Sequence, residues 1–248
     1  MKTLPILLGL WIFGCLACSG FLDEVDQDKF IPSTTDHYAS LLLEEFNKNP
    51  GIMSDVAFMT DEIQESEGAL TSSSWRSSRL PLYTWQRNIE RGFENEQVNT
   101  NDAWGKFYRQ IAIVNYVIEQ IGDASGTEAE RSYVKGEAYF IRAYCYFSLT
   151  NLYAEPFRSE SQAQVTMGVP LRTDIGVEPT YDRAQLIDNY RQIEDDLSEA
   201  IRLIGSSGLK KTIYHPTVEA CQLLLSRVQL FQKKYEEEFD RYVNLKKI

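Results

Sequence analysis

Between Trp104 and Phe231 the apolar residues recur every three or four positions in four long stretches, a period that only packed helices satisfy. Trp104, Phe107, Tyr108, Ile111, Val114, Ile118 and Ile121 make the first stripe, which Gly122 ends. Thr127-Glu128-Ala129-Glu130 is a capping box that opens the second helix, 127–153. This one is apolar on nearly every side, through Ala138, Tyr139, Phe140, Ile141, Ala143, Tyr144, Tyr146, Phe147 and Leu149. It must therefore be covered on more than one face, and Gly136, Ala138 and Ala143 let a neighbour come close. Glu137 and Arg142 inside this run read as paired or snorkelling structural residues. A third helix is expected from Asp182, with Leu186, Tyr190, Ile193, Leu197, Ile201 and Ile204, ended by Gly205. Thr217 caps a fourth, over 217–235, with Val218, Leu224, Leu225, Val228 and Phe231.

The helices fall into two pairs, 104–121 with 127–153 and 182–204 with 217–235. Neither pair can bury its apolar faces alone. The expected fold is all-α, with tetratricopeptide-like helix pairs in a right-handed superhelix and long irregular loops. The connection 157–181, with Gly168, Pro170, Gly176 and Pro179, is long and shows no obvious structure. Upstream, Ser33 or Thr34 offers an N-cap for a helix with Tyr38, Leu41, Leu42, Glu45 and Phe46, stopped by Pro50-Gly51. Residues 51–100 read as irregular. Thr71 to Ser78 has loop composition, and Leu82-Tyr83-Thr84-Trp85 suits a short extended piece.

The first residues are a different material. Lys2 precedes an apolar run from Leu4 to Ala17 that is too short to span a bilayer and reads as a secretory signal. Cys18, directly after Leu16-Ala17, is the position that bacterial lipoprotein processing acylates; cleavage before Cys15 and a plain signal peptide are the competing readings. Several buried acyl chains anchor durably, at about 0.8 kcal/mol per methylene. The expected organisation is a signal peptide over 1–17, a lipidated tether over 18–32 and a helical body over 33–248. Cys145 and Cys221 sit in apolar helical patterns and read as small core residues.

The 25 basic and 36 acidic residues give a net charge of −11, which argues against nucleic acid as a partner and against electrostatic docking on anionic lipid. Catalysis finds little support. His37 and His215 are the only histidines and lack metal-ligand spacing, and there is no nucleophile elbow, P-loop or dinucleotide fingerprint. The pair Asp195-Asp196 reads as a solvated helix surface. No cofactor, metal or catalytic residue is expected. Trp75, Tyr83 and Trp85, with Arg87 and Asn88 beside them, are the candidate ligand platform: flat rings to stack on sugars, next to hydrogen-bonding groups. The competing reading packs Tyr83 and Trp85 on the helices. Trp104 belongs to a core face.

Several strings resemble one family in the right order. Trp104-Gly-Lys-Phe-Tyr108 running to Asn115, Gly136-Glu137-Ala138-Tyr139-Phe140-Ile141-Arg142-Ala143, Tyr153-Ala-Glu-Pro156 and Gly168-Val169-Pro170-Leu171 are similar to blocks of the SusD/RagB family. Arg183 to Tyr190 with Asp196-Leu197, the segment from Ala220 to Leu230, and Phe21-Leu22-Asp23 behind the cysteine extend the likeness. Asp61-Glu62 resembles an acidic pair of that family, with a solvated or structural role. The resemblance implies a lipid-anchored, surface-exposed outer-membrane protein of Bacteroidetes. It would bind oligosaccharides or peptides without making or breaking bonds and pass them to a SusC-like TonB-dependent transporter. Family members are longer, so the chain resembles their N-terminal portion. An inactive fragment, a helical-repeat interaction scaffold and a helical glycoside hydrolase are the alternatives.

Overall fold

The structure is a computed structural model that describes residues 31–47, 54–64, 74–86, 103–176 and 181–235; Cys18 and Asn88 lie outside these. Helix α1 spans Thr35–Asn47. Of the two expected caps it is Thr34 that acts, its Oγ1 accepting the His37 N–H at 3.2 Å. The Thr35 N–H donates to the Ser125 carbonyl at 3.0 Å and the Ser125 N–H to the Ser33 carbonyl at 2.9 Å, which fastens the start of the body to the turn between the next two long helices.

A 3₁₀ turn over Ser54–Met59 and helix α2 over Ser74–Tyr83 follow. Both correct the sequence reading. The serine-rich stretch is helical from Ser74 on, and Leu82 to Trp85 ends a helix instead of running extended. Pro81 is tolerated within α2, and the helix lies against the 3₁₀ turn, where the Arg79 guanidinium sits 5.7 Å above the Phe58 ring.

Helix α3, Ala103–Gln120, turns its stripe of Phe107, Ile111, Val114 and Val117 inward and tightens into a 3₁₀ turn over Ile121–Asp123. Helix α4, Glu128–Tyr153, opens with the full capping box: Thr127 accepts from the Glu130 N–H and Glu130 from the Thr127 N–H. As its apolar circumference requires, α4 is covered by α3 on one side and by the helix Leu186–Ser207 on another, with α1 and the helix Val218–Phe231 touching it as well. Complete burial of Phe107, Ile111, Tyr146 and Leu149 contributes about 1.5–3 kcal/mol each. At Gly136 an added Cβ would lie 2.8 Å from Ile204 Cγ1, so the helix Leu186–Ser207 crosses α4 closely at that point.

The described residues of the connection after α4 are more ordered than their composition suggests. They hold the short helix α5, Glu160–Ala163, and strand β1, Met167–Pro170, which pairs antiparallel with strand β2, Arg183–Gln185. Helix α6 therefore begins at Leu186, not at Asp182. It also runs past Gly205 to Ser207 and is stopped by Gly208 at φ +64°. Helix α7, Val218–Phe231, is capped by the Thr217 hydroxyl and packs on α6. Among the described residues the fold is all-α, a layered succession of paired helices with one small antiparallel strand pair. Cys145 and Cys221 are free and buried; burial pushes both thiols up, Cys221 to about 12.

Candidate functional site

The expected platform residues meet different fates. Trp75 lies in α2, while Tyr83 and Trp85 stand at its end, 42% and 68% exposed. These two do not pack away on the helices. The α2 terminus has the six-to-one and five-to-two hydrogen bonds of a Schellman motif: the Gln86 N–H donates to the Pro81 carbonyl at 2.8 Å, and the Trp85 N–H to that of Leu82 at 3.1 Å. The left-handed position in that motif normally holds glycine, but here it holds Trp85 at φ +52°. A bulky side chain there costs about 1–2 kcal/mol, and such strain persists when surroundings over-determine it or function uses it. The bend presents the indole to solvent beyond the helix end.

A second group of polar residues ties the strand pair to the helices. Two Arg142 nitrogens on α4 donate to the Asp196 carboxylate on α6 at 2.8 and 2.6 Å, and a third donates to the Asn115 side-chain oxygen at 2.9 Å. The Gln192 amide adds a further donor to Asp196 at 2.9 Å. Burial favours a neutral Asp196, yet three N–H donors converge on its two oxygens, which an ionised carboxylate satisfies. We therefore assign a buried ion pair. Burial also opposes the Arg142 charge, but hydrogen bonds and attraction from Asp196 outweigh it and hold the guanidinium above its ordinary pKa. Asp196 is thus a core residue and not the solvated surface the sequence suggests.

Through Asn115 this pair reaches the chain beyond β1. The Asn115 amide donates to the carbonyls of Arg172 and Asp174 at 2.9 and 3.1 Å. The Tyr146 hydroxyl donates to the Arg172 carbonyl at 2.6 Å and accepts from its N–H at 2.7 Å. Tyr108 donates to Pro170 at 2.7 Å. Asn189 acts as a substitute strand, accepting the Val169 N–H at 2.7 Å and donating to its carbonyl at 2.9 Å. Only glycine fits before it, since a Cβ at Gly168 would overlap the Asn189 side chain. Beside the strand pair, Trp104 packs on Tyr108 and Tyr153 with centroids 4.9 and 5.0 Å away, a half-buried cluster in keeping with its core assignment.

At the other end of α4, Glu137 meets His215, Oε1 to Nδ1 at 2.9 Å, while its buried Oε2 has no partner. Burial raises the Glu137 pKa against the opposing pull of His215 and Lys211. The two lie in a cleft of about 20 Å³, room for one water, walled also by Thr35, Glu130 and Tyr133. Among the described residues no three His, Cys, Asp or Glu side chains converge as a metal site requires. Among the described residues the geometry offers presentation of rings and positioning of backbone.

Comparison with known proteins gives one consistent likeness. A family model, SusD-like, described as starch-binding and associating with the outer membrane, matches residues 20–230. A SusD-like protein of Formosa agariphila is 27% identical over 175 residues, 66% of this chain and 32% of that one. A SusD superfamily crystal structure from Bacteroides vulgatus superposes with a TM-score of 0.70 at 22% identity, covering 87% of this chain and 47% of the other. A laminarin-binding SusD-like protein gives 0.61 at 22%, covering 85% and 43%. The chain spans about a third of that curated relative and under half of these solved structures.

Proposed function

Because this chain belongs to the SusD-like family, whose model matches 211 of its residues (20–230), we propose that it is a surface lipoprotein that binds oligosaccharides and hands them to a SusC-like TonB-dependent transporter. The family is one of starch-binding proteins associated with the outer membrane, and a laminarin-binding structure is among those of the same fold. The finer assignments are ours. Cys18 carries the lipid. Trp75, Tyr83, Trp85 and Asn88 contact the ligand, and no bond is made or broken. Peptides are the other cargo class.

The observation that carries this reading is the strained, solvent-facing Trp85 beside exposed Tyr83. A stacking ring gains most when it stands clear of the body, and a carbohydrate's C–H face would cover the indole. The test is calorimetric titration with laminarin and starch oligosaccharides. Trp85→Ala should abolish measurable binding while leaving helicity intact; unchanged affinity would sink the platform. Trp85→Gly should also lose binding, but it should raise stability by about 1 kcal/mol, because glycine relieves the left-handed strain. A denaturation midpoint below wild type would show that the conformation is not strained. For the anchor, mass spectrometry of the membrane fraction should find Cys18 acylated and Cys18→Ser released from it.

One observation favours a second reading, the interaction scaffold. Helix α7 and the residues just after it leave Leu223, Leu230, Phe231 and Tyr235 exposed, an apolar face suited to another polypeptide. A stable protein complex from a chain that binds no glycan would support it.

A further inference from the structure

We propose that the connection between α6 and α7, residues 208–217, is a proton-operated cover: it lies closed over Glu137 while that side chain is a neutral acid and lifts when it ionises. Glu137 reaches from α4 into the one-water cleft, and its side chain is 4% exposed. Only one of its oxygens is served. Oε1 meets His215 Nδ1 at 2.9 Å, and the buried Oε2 has no hydrogen-bond partner among the described residues. A neutral acid is tolerated in that position. A carboxylate is not, because a buried charge costs far more than a buried polar group unless donors converge on it. Asp196 shows the contrast within the same fold, since three N–H donors meet its two oxygens.

The connection is the wall of the cleft that can move. Thr35 and Asp36 stand on α1, Glu130 and Tyr133 on α4, and both helices pack into the layered body; Lys211 and His215 belong to the connection. It is fastened to α4 where His215 meets Glu137 and where the Tyr133 hydroxyl donates to the Pro216 carbonyl at 2.9 Å, and Leu209 packs at its start. Its tip adds little hold, because Ile213 and Tyr214 are 92% and 76% exposed. Gly208, left-handed and with open space where a Cβ would lie, supplies a pivot. Lifting the cover therefore breaks few contacts and lets water reach Oε2.

The proton that matters is the one on Glu137. Burial raises its pKa, although His215 and Lys211 on the cover pull the other way. Of the other groups around it, Glu130 is held below the ordinary carboxylate range by its hydrogen bonds to Thr127, and Asp36 is exposed. Burial pushes Tyr133 and the Cys221 thiol of α7 up, so neither titrates in the same window. The closed form thus holds the Glu137 proton more tightly than the open form, where water solvates the carboxylate. The open-to-closed ratio is flat below the ordinary carboxylate value. From there to the raised value it climbs about tenfold per pH unit.

The test is the distance between spin labels on Tyr214→Cys in the cover and Ser40→Cys on α1, read by pulsed electron paramagnetic resonance from about pH 4 to pH 9. It uses the mature chain, 18–248, with Cys18→Ser; Cys145 and Cys221 are buried and stay unlabelled. A longer, broader distance should appear as pH rises through the raised Glu137 value. A control pair at the exposed positions Ser40→Cys and Ser198→Cys, on α1 and α6, should stay constant. Glu137→Gln, neutral at every pH, should keep the short distance throughout. His215→Gln can still donate to Oε1 but cannot titrate, and it should keep the pH response. A distance unchanged by pH, or a Glu137→Gln chain that opens as wild type does, would overturn the proposal. So would a matching change in the control pair, which reads unfolding of the body, or loss of the response in His215→Gln, which puts the proton on the histidine.

Discussion

Among the described residues, the connections that follow α4 and α6 are built on opposite plans. The described residues of the first, 154–176 and 181–185, are folded into the body. Their backbone is gripped by Asn115, Tyr146, Tyr108 and Asn189, and the buried Arg142–Asp196 pair stands behind that grip. The segment from Gly208 to Thr217 touches the body at its base and shows Ile213 and Tyr214 to solvent. Both are irregular by composition. What separates them is where polar groups on the helices point: toward the first connection, mostly away from the second. A connection becomes scaffold when helix side chains satisfy its peptide groups, and it stays available for contact when its own turn does so.

The largest effect should come from breaking the grip at its source. Asp196→Ala leaves Arg142 buried without its partner and should cost about 3–5 kcal/mol in urea denaturation. Asn189→Ala removes both hydrogen bonds to Val169 and should cost about 2 kcal/mol, with faster amide exchange around β1. Loss of less than half a unit at either site would show the first connection to be as loosely held as the second.

At the second connection the response should be smaller and depend on pH. Burial raises the Glu137 pKa, so the folded state holds this proton more tightly than the unfolded chain does. Stability then falls as pH rises from the ordinary carboxylate value through the raised one. Glu137→Gln removes that slope. The variant should exceed wild type above the raised value, and its advantage should fade on acidification. A difference independent of pH would refute the assignment. Ile213→Ser should change stability by no more than about 0.5 kcal/mol, because little in the fold covers that side chain.

The helical layers were legible because period and capping are local signals: the Thr127–Glu130 box and the Thr217 cap appear where the sequence put them. Gly136 could be read as a point of close approach, and Glu137 and Arg142 as paired or snorkelling structural residues. The partner of Arg142 could not be found. Asp196 stands among Asp195 and Gln192 on an amphipathic helix, where solvation is the default reading. The strand pair was hidden because strands of four and three residues are too short to alternate, and a side-chain amide supplies part of the pairing. Helix α2 was hidden by serine composition and an internal proline. Trp85 was singled out by residue type, but its left-handed backbone runs against preference and leaves no mark in the sequence.

The Arg142–Asp196 pair also has a consequence in time. Its two halves are 54 residues apart, so during synthesis at about 5–20 residues per second the arginine waits roughly 3–10 s for its counter-ion. Until then α4 carries a charge it cannot bury, and its stack cannot close. For those seconds the first helix pair stays open, waiting for a segment that has not yet been made.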